Sequence, residues 1–447
     1  MSKPEDSARG RPVPSGRLSR LGQFGRLAGG LAGGMLAEGA RRLAEGERPA
    51  MRDMLLTPGN LLRVADRLSH LRGAAMKLGQ MISMDAGDAL PTELSQLMAR
   101  LRAEADPMPP AQLQRVLAAE WGREWRIRFQ RFDDRPIAAA SIGQVHRAVA
   151  LDGRELAIKV QYPGVRGSID ADVENVATLL RVSGLLPQGL NIAPLLAEAK
   201  AQLREETDYR REGVQMEAYG RLLAGSEAFV VPSPAPDFTT DNVLAMGFVE
   251  GVPIESMAGA SQPERDRIAA LLMGLVLDEL FRFGMMQTDP NFANFRYQPA
   301  TGTIVLLDFG ATRTVSAATA QAYRGLLAAG LSGDGEAVKK AALDAGFLGE
   351  AAVRRHGDLI DRMIGLIVSE AARVGPVDFA DRRILEAIRD QATIVAGDRE
   401  AWHVPPTDTL FVQRKIGGIA LLAARLKARV DLRPMVEARL GLDPVAV

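Results

Sequence analysis

The chain has 447 residues and is 47% hydrophobic, enough for a sizeable core; at about 150 residues per domain it makes two or three structural units. Lys+Arg and Asp+Glu are equal at 55 each, and with no basic excess and no interleaving of basic and aromatic residues nothing asks for a nucleic acid. Cysteine is absent and the four histidines (His70, His146, His356, His403) are scattered, which excludes a disulfide framework, a thiolate metal site and a His-x-x-x-His pair.

Residues 1 to about 20 hold Pro, Gly, Ser and Arg without periodicity and read as a disordered tail. A Gly/Ala-rich helix follows, with Gly25, Gly29 and Gly33 spaced by four, as are Gly30 and Gly34. That spacing lets helix backbones approach closely, so a peripheral membrane contact or a homodimer contact is the functional reading and a weakly helical leader the bland one. Eleven residues separate Arg26 from Glu38, too few to cross a bilayer, while Lys3, Arg9, Arg11, Arg17, Arg20 and Arg26 against Glu5 and Asp6 favour an anionic surface. No apolar secretion signal opens the chain.

Residues 51–126 read as helical, with LLRVADRLSHLRGAAMKLGQMISM strongly 3.6-periodic and prolines at 91, 107, 109 and 110 as punctuation. From 127 the texture changes. RIRFQRF, QVHRAVA and ELAIKVQY alternate apolar and polar around a turn at Asp152-Gly153, the pattern of a β-hairpin. Residues 191–223 read as one long charged helix. AFVVP and NVLAMGFV add two strand-like runs, and the chain beyond about 260 reads as helical except for TIVLLDFG. The apolar stretch Ala269 to Met286 carries Asp278, Glu279 and Arg282, so it is expected to be a core helix and not a spanning one.

Within this order lies a constellation of phosphate chemistry. The short apolar run 304–307 predicts a buried strand delivering Asp308 at its end, where a carboxylate can chelate Mg on nucleotide phosphates. Asp289 and Asn294 stand five apart, as in the catalytic loop D-x-x-x-x-N, and Asn294 lies fourteen residues before Asp308, room for one hairpin. The Asp would orient or deprotonate an attacking hydroxyl and the Asn oxygen would hold a second Mg. Leu156-Ala-Ile-Lys159 matches the V-A-I-K strand whose lysine holds the α- and β-phosphates. Before it, Ala138-x-Ala140-x-x-Gly143-x-Val145 is the frame of a kinase glycine-rich loop with alanine at two of its glycines, so the loop is expected to grip phosphate differently. Glu206, Asp208 and Glu212 are candidates to pair with Lys159, with Glu212 preferred. These features predict an α+β, two-lobed, protein-kinase-like fold. The expected lobes are 127–252 and 253–447, preceded by the tail at 1–50 and the helical extension at 51–126.

The sequence resembles the UbiB/AarF (ADCK) family of atypical kinases over about residues 60–430. The likeness rests on Lys77-Leu-Gly-Gln80 (K-x-G-Q), the Ala-rich loop 138–145, Lys159, Glu206-x-Asp208 (E-x-D), Glu212, the run from Gln287 to Asn294, and Asp308-Phe-Gly310. Many bacterial members read H-x-D-P-H-P-G-N in that run. Gln287 and Asn291 depart from it, no counterpart of the bacterial C-terminal membrane helices is seen, and the version here is similar to the mitochondrial coenzyme-Q-biosynthesis branch. The resemblance implies that the K-x-G-Q extension folds over the active site, with Lys77 and Gln80 joining Lys159 and Asp289 as catalytic residues. It implies that Ala138, Ala139, Ala140, Ser141, Gly143, Val145, Lys159, Glu206, Asp208, Glu212, Met246 and Phe248 bind ATP, with Asn294 and Asp308 on Mg. It further implies ATPase activity in support of ubiquinone synthesis, with lipid intermediates and quinone-biosynthesis enzymes as partners. The expected place is cytoplasmic, peripheral on the inner face of a membrane, or the mitochondrial matrix side in a eukaryote. No A-P-E follows Gly310, which leaves little room for peptide docking. The rival functions are a nucleotide-dependent scaffold for quinone enzymes and a small-molecule kinase.

Overall fold

The computed structural model describes residues 107–441 apart from 141, 183–192, 374, 399 and 401–405. The tail, the Gly/Ala-rich helix and the K-x-G-Q segment lie outside the described residues. The chain divides into two compact units, residues 1–217 with 232–249, and residues 218–231 with 250–447.

The first unit is built on a five-stranded antiparallel sheet. β1 (Phe129–Phe132), β3 (Gly143–Ala150), β4 (Glu155–Gln161) and β6 (Val243–Gly247) lie side by side in that order, with β2 (Ala138–Ala139) paired to β3. The β3–β4 hairpin turns at Gly153, whose φ of +86° suits glycine. α1 (Pro110–Trp121) lays Leu113 and Leu117, both fully buried, on a core with Trp125, Phe129, Ile158 and Val243. The expected boundary at 126/127 thus runs through a single core: the residues from Met108 on pack with the sheet. RIRF opens as a 3-10 turn, Trp125–Arg128, before the strand begins.

α2 (Val165–Val182) was not foreseen from the sequence. The single helix expected at 191–223 is two, α3 (Ala193–Glu206) and α4 (Tyr209–Leu222). The break has a local cause. Asp208 caps α4, its carboxylate accepting the Arg211 N–H at 3.0 Å and its carbonyl the Glu212 N–H at 3.0 Å.

His146 is fully buried on β3. Its Nδ1 faces the Asp133 carbonyl at 2.8 Å, so that nitrogen carries the proton, and Nε2 accepts from the Gln144 amide at 2.9 Å. Burial, only partly opposed by Asp133 and Asp134, holds the imidazole below its ordinary 6.5. The folded chain therefore refuses a proton that the unfolded chain takes below pH 6.5, and stability falls as pH drops from there, by at most about 1.4 kcal/mol per unit. Melting curves from pH 7 to 5 are expected to fall less steeply for His146→Gln than for the wild type; parallel curves would reject the buried neutral state.

The second unit is mainly helical around α5 (Gln262–Asp278), which packs on α10 (Thr407–Leu426) and α11 (Leu432–Leu440). α6 (Ala317–Ser332), capped by the Ser316 hydroxyl, α7 (Gly335–Asp344) and α8 (Glu350–Ala371) share an outer core at Val338, Ile360 and Ile364; α9 (Arg383–Gly397) packs on α8. The stretch from Ala269 is α5 followed by a π-helical turn, Glu279–Phe283, and then a strand. Beyond residue 260 the chain is less purely helical than expected: besides the expected strand β10 (Thr303–Leu306) it holds β8 (Met285–Gln287), β9 (Phe295–Gln298), β11 (Thr312–Thr314) and the small pair β12 (Val377–Asp378) and β13 (Arg429–Val430). The second unit also includes β5 (Phe229–Val230) and β7 (Val252–Pro253). AFVVP contributes β5 to this unit, parallel to β10, and not to the first sheet.

Candidate functional site

In the first unit the candidates gather on β3, β4 and the start of α4. Lys159 faces Val145 and Leu244 on the neighbouring strands. Its Nζ donates to both carboxylate oxygens of Glu212, at 2.9 and 3.0 Å, and sits 5.1 Å from the centre of the Tyr209 ring. The two side chains are 10% and 0% exposed, so this is a desolvated ion pair held by two charge-assisted bonds. Asp208 makes the cap that starts the helix carrying Glu212. Glu206 is buried at the end of α3.

The Ala-rich loop is the β2–β3 turn. Ala138 pairs with Val145 and Ala139 with Gln144, and the Ala140 N–H donates to the Gly143 carbonyl at 2.8 Å. Gly143 has a packing reason. An added Cβ would stand 2.4 Å from the Val160 carbonyl oxygen and 3.0 Å from the Tyr209 hydroxyl. Met246, on β6, pairs with Ala157 of β4, and Phe248 donates its N–H to the Glu155 carbonyl at 2.9 Å with Arg147 over its ring at 4.2 Å. Lys77, Gln80 and Ser141 lie outside the described residues.

In the second unit, β10 is buried along its whole length and delivers Asp308 just beyond its end. The Gly310 N–H donates to Asp308 Oδ1 at 3.0 Å, and Phe309 is fully buried with its ring 5.1 Å from Tyr219. The hairpin expected between Asn294 and Asp308 is β9–β10. Asp289 follows β8, and a 3-10 turn, Phe292–Asn294, brings Asn294 back so that its amide donates to the Asp289 carbonyl at 3.3 Å. That leaves the Asn294 side-chain oxygen as its acceptor end. The Leu307 N–H donates to the Asn294 carbonyl at 3.0 Å, tying loop to strand.

Behind this loop is a group that sequence reasoning did not single out. Lys415 on α10 donates to Gln287 Oε1 at 2.8 Å and lies 3.4 Å from Glu279 Oε2. Glu279 Oε1 accepts from the Tyr219 hydroxyl at 2.6 Å and the Gln287 N–H at 2.9 Å. Gln287 Nε2 donates to the Asp308 carbonyl at 3.0 Å. Burial pushes the Lys415 ammonium down and the Glu279 carboxyl up, and the attraction between them opposes both shifts. The available signal was charge within an apolar run: Lys415, beside Arg414, in LFVQRKIGGIALLAA and Glu279, beside Asp278, in LLMGLVLDELF.

Oxygen donors of this kind suit Mg, a hard cation that takes one or two protein ligands and completes its shell from phosphate and water. Asp308 and Asn294 supply a carboxylate and an amide oxygen. Among the described residues no group of three or more His, Asp or Glu forms a metal cage, and no helix is long and apolar enough to cross a membrane.

Residues 100–342 match the ABC1 atypical kinase-like domain. The chain is 37% identical over 434 residues to "Atypical kinase COQ8, mitochondrial" of Saccharomyces cerevisiae, covering 95% of this chain and 85% of the relative. It is 36% identical to "Atypical kinase COQ8B, mitochondrial" of Rattus norvegicus, covering 97% and 82%. Among solved structures, the complex of Rv3197 with erythromycin from Mycobacterium tuberculosis aligns with a TM-score of 0.59 at 28% identity, covering 83% of this chain and 93% of that one. With matches of this extent, the chain belongs to the ABC1 (UbiB) family of atypical kinases, and its kinase-like α+β fold is the fold of that family.

Proposed function

We propose that the chain binds ATP with Mg and turns it over in support of ubiquinone synthesis. The observation that carries the reading is the buried, two-bond pair of Lys159 with Glu212. Glu212, anchored on α4, holds the ammonium at a fixed place on β4, where it takes the α- and β-phosphates. The Ala138–Val145 turn covers phosphate with less conformational freedom than glycine would give. Asn294 and Asp308 hold the metal, and Asp289 orients the attacking oxygen and takes its proton. Mg supplies charge neutralisation on the phosphates when bound. By the family resemblance Lys77 and Gln80 are assigned a catalytic role, and Glu206 and Asp208 a nucleotide-binding one.

The quinone role follows from the family resemblance and from relatives with the COQ8 name. The same relatives carry mitochondrial names, which favours the matrix-side alternative for a eukaryotic source. The short path from Gly310 to the start of α6 at Ala317 supports an acceptor other than a docked peptide.

ATP and ADP are expected to raise the melting temperature of the wild type only when Mg is present for ATP, and Lys159→Met to blunt both rises. Lipid extracts of a strain deleted for this gene are expected to lack ubiquinone and to regain it with the wild type alone. A Lys159→Met protein that restores quinone fully would reject the nucleotide-dependent role.

A further inference from the structure

Lys415 and Glu279 are nearly sealed from water, with side-chain exposures of 1% and 0%. A buried ion pair is expensive to desolvate, and apolar side chains of similar volume often serve stability as well or better. Its geometry points elsewhere. Glu279 Oε1 already accepts two short bonds, from Tyr219 and Gln287, and the Lys415 ammonium lies nearer to Gln287 Oε1, at 2.8 Å, than to Glu279, at 3.4 Å. A glutamine amide has one accepting and one donating end. By taking the oxygen, Lys415 dictates which end of Gln287 faces Asp308, and the NH2 then donates to the Asp308 carbonyl at 3.0 Å.

Three residues along the same helix, on the same face, is Gly418. A Cβ there would stand 2.2 Å from Pro290 Cβ and 2.4 Å from its Cγ. Glycine is what lets Pro290 seat against α10. Lys415 and Gly418 therefore grip the segment 287–290 at its two ends, and Asp289 stands between those grips.

We propose that α10 is a strut for the catalytic loop, in which Lys415 orients Gln287 against the Asp308 backbone and Gly418 seats Pro290, so that Asp289 and Asp308 are held in one arrangement. Both are positioning residues. The proposal rests on the Mg-ATP reading of Asp289, Asn294 and Asp308.

The full-length wild type, Lys415→Met/Glu279→Gln, the same pair with Gln287→Met added, and Gly418→Ala are compared by calorimetric melting and by Mg-dependent ATP hydrolysis. The paired substitution removes both buried charges together. It is expected to melt within a few degrees of the wild type, with kcat at least tenfold lower and KM for ATP within threefold. Adding Gln287→Met should cost no further factor beyond twofold, because Lys415 acts through that side chain. Gly418→Ala, a good helix former that displaces Pro290, should lower kcat tenfold with α10 intact. A kcat equal to wild type in the paired or the Gly418 variant overturns the strut, and so does a multiplied loss on adding Gln287→Met. If the paired and Gly418 variants both lose cooperative melting, the helix serves the fold and not the loop, which also overturns it. A wild type that fails to turn over Mg-ATP defeats the reading of the site itself, an outcome distinct from an active wild type with unaffected variants.

Discussion

Asp308→Asn is expected to abolish the Mg-dependent part of ATP binding while the protein still melts cooperatively near the wild-type temperature. The two effects separate because of what the residue does locally. Its Oδ1 accepts the Gly310 N–H and its backbone carbonyl accepts from Gln287, and an asparagine keeps both acceptors in place. What asparagine removes is the negative charge. A hard cation that has only Asp308 and Asn294 from this segment then faces two neutral amides, and most of its protein-side attraction goes. A ligand at a hundred times its dissociation constant stabilises the folded state by about 2.7 kcal/mol. For the wild type that rise should appear with ATP and Mg together. For Asp308→Asn, ATP with and without Mg should give the same small shift. Calorimetry of both proteins at fixed ATP across a Mg series makes the comparison, and an undiminished Mg-dependent rise in the variant means that Asp308 is not a ligand.

How far the sequence could be read depended on whether a signal was local. Asp308 was placed because four apolar residues before it make a buried strand, and Asn294 because its spacing leaves one hairpin, β9–β10. The charged run at 191–223 hid its own break: Thr207-Asp208 interrupts no periodicity. Only the capping bonds of Asp208 reveal that the aspartate of the E-x-D motif begins a new helix. β8, β9 and β11 have three or four residues each, too few for an alternation to show. The parallel pairing of β5 with β10 joins residues more than seventy positions apart, and no local pattern marks it. Gly143 illustrates a different limit. Its place in a glycine-rich frame suggested backbone freedom over phosphate, whereas the structure gives it a steric reason, the Val160 carbonyl and the Tyr209 hydroxyl in the space a side chain would need. Lys415 and Glu279 were visible as charges in apolar runs, but what they share, Gln287, comes from tertiary packing alone.

Glu212→Ala should be among the most destabilising single changes in the first unit, and a second substitution should recover the fold without recovering function. Glu212 is fully buried and accepts two bonds from Lys159, itself almost sealed. Truncating the carboxylate takes those two bonds from a desolvated ammonium, a loss of about 3–5 kcal/mol for breaking such a pair from one side. Lys159→Met joined to Glu212→Met removes both charges and fills the space with unbranched apolar side chains. Replacements of that kind are often neutral or better for stability, so the double variant should melt well above Glu212→Ala and close to the wild type. It should nevertheless fail to respond to ATP, since the ammonium proposed to hold the phosphates is gone. Denaturant unfolding of the three proteins, each with and without Mg-ATP, gives both readings at once. A double variant as unstable as Glu212→Ala would show that the pair sustains the β4–α4 packing through more than its charges. A stable double variant that still binds Mg-ATP as the wild type does would remove Lys159 from the nucleotide site.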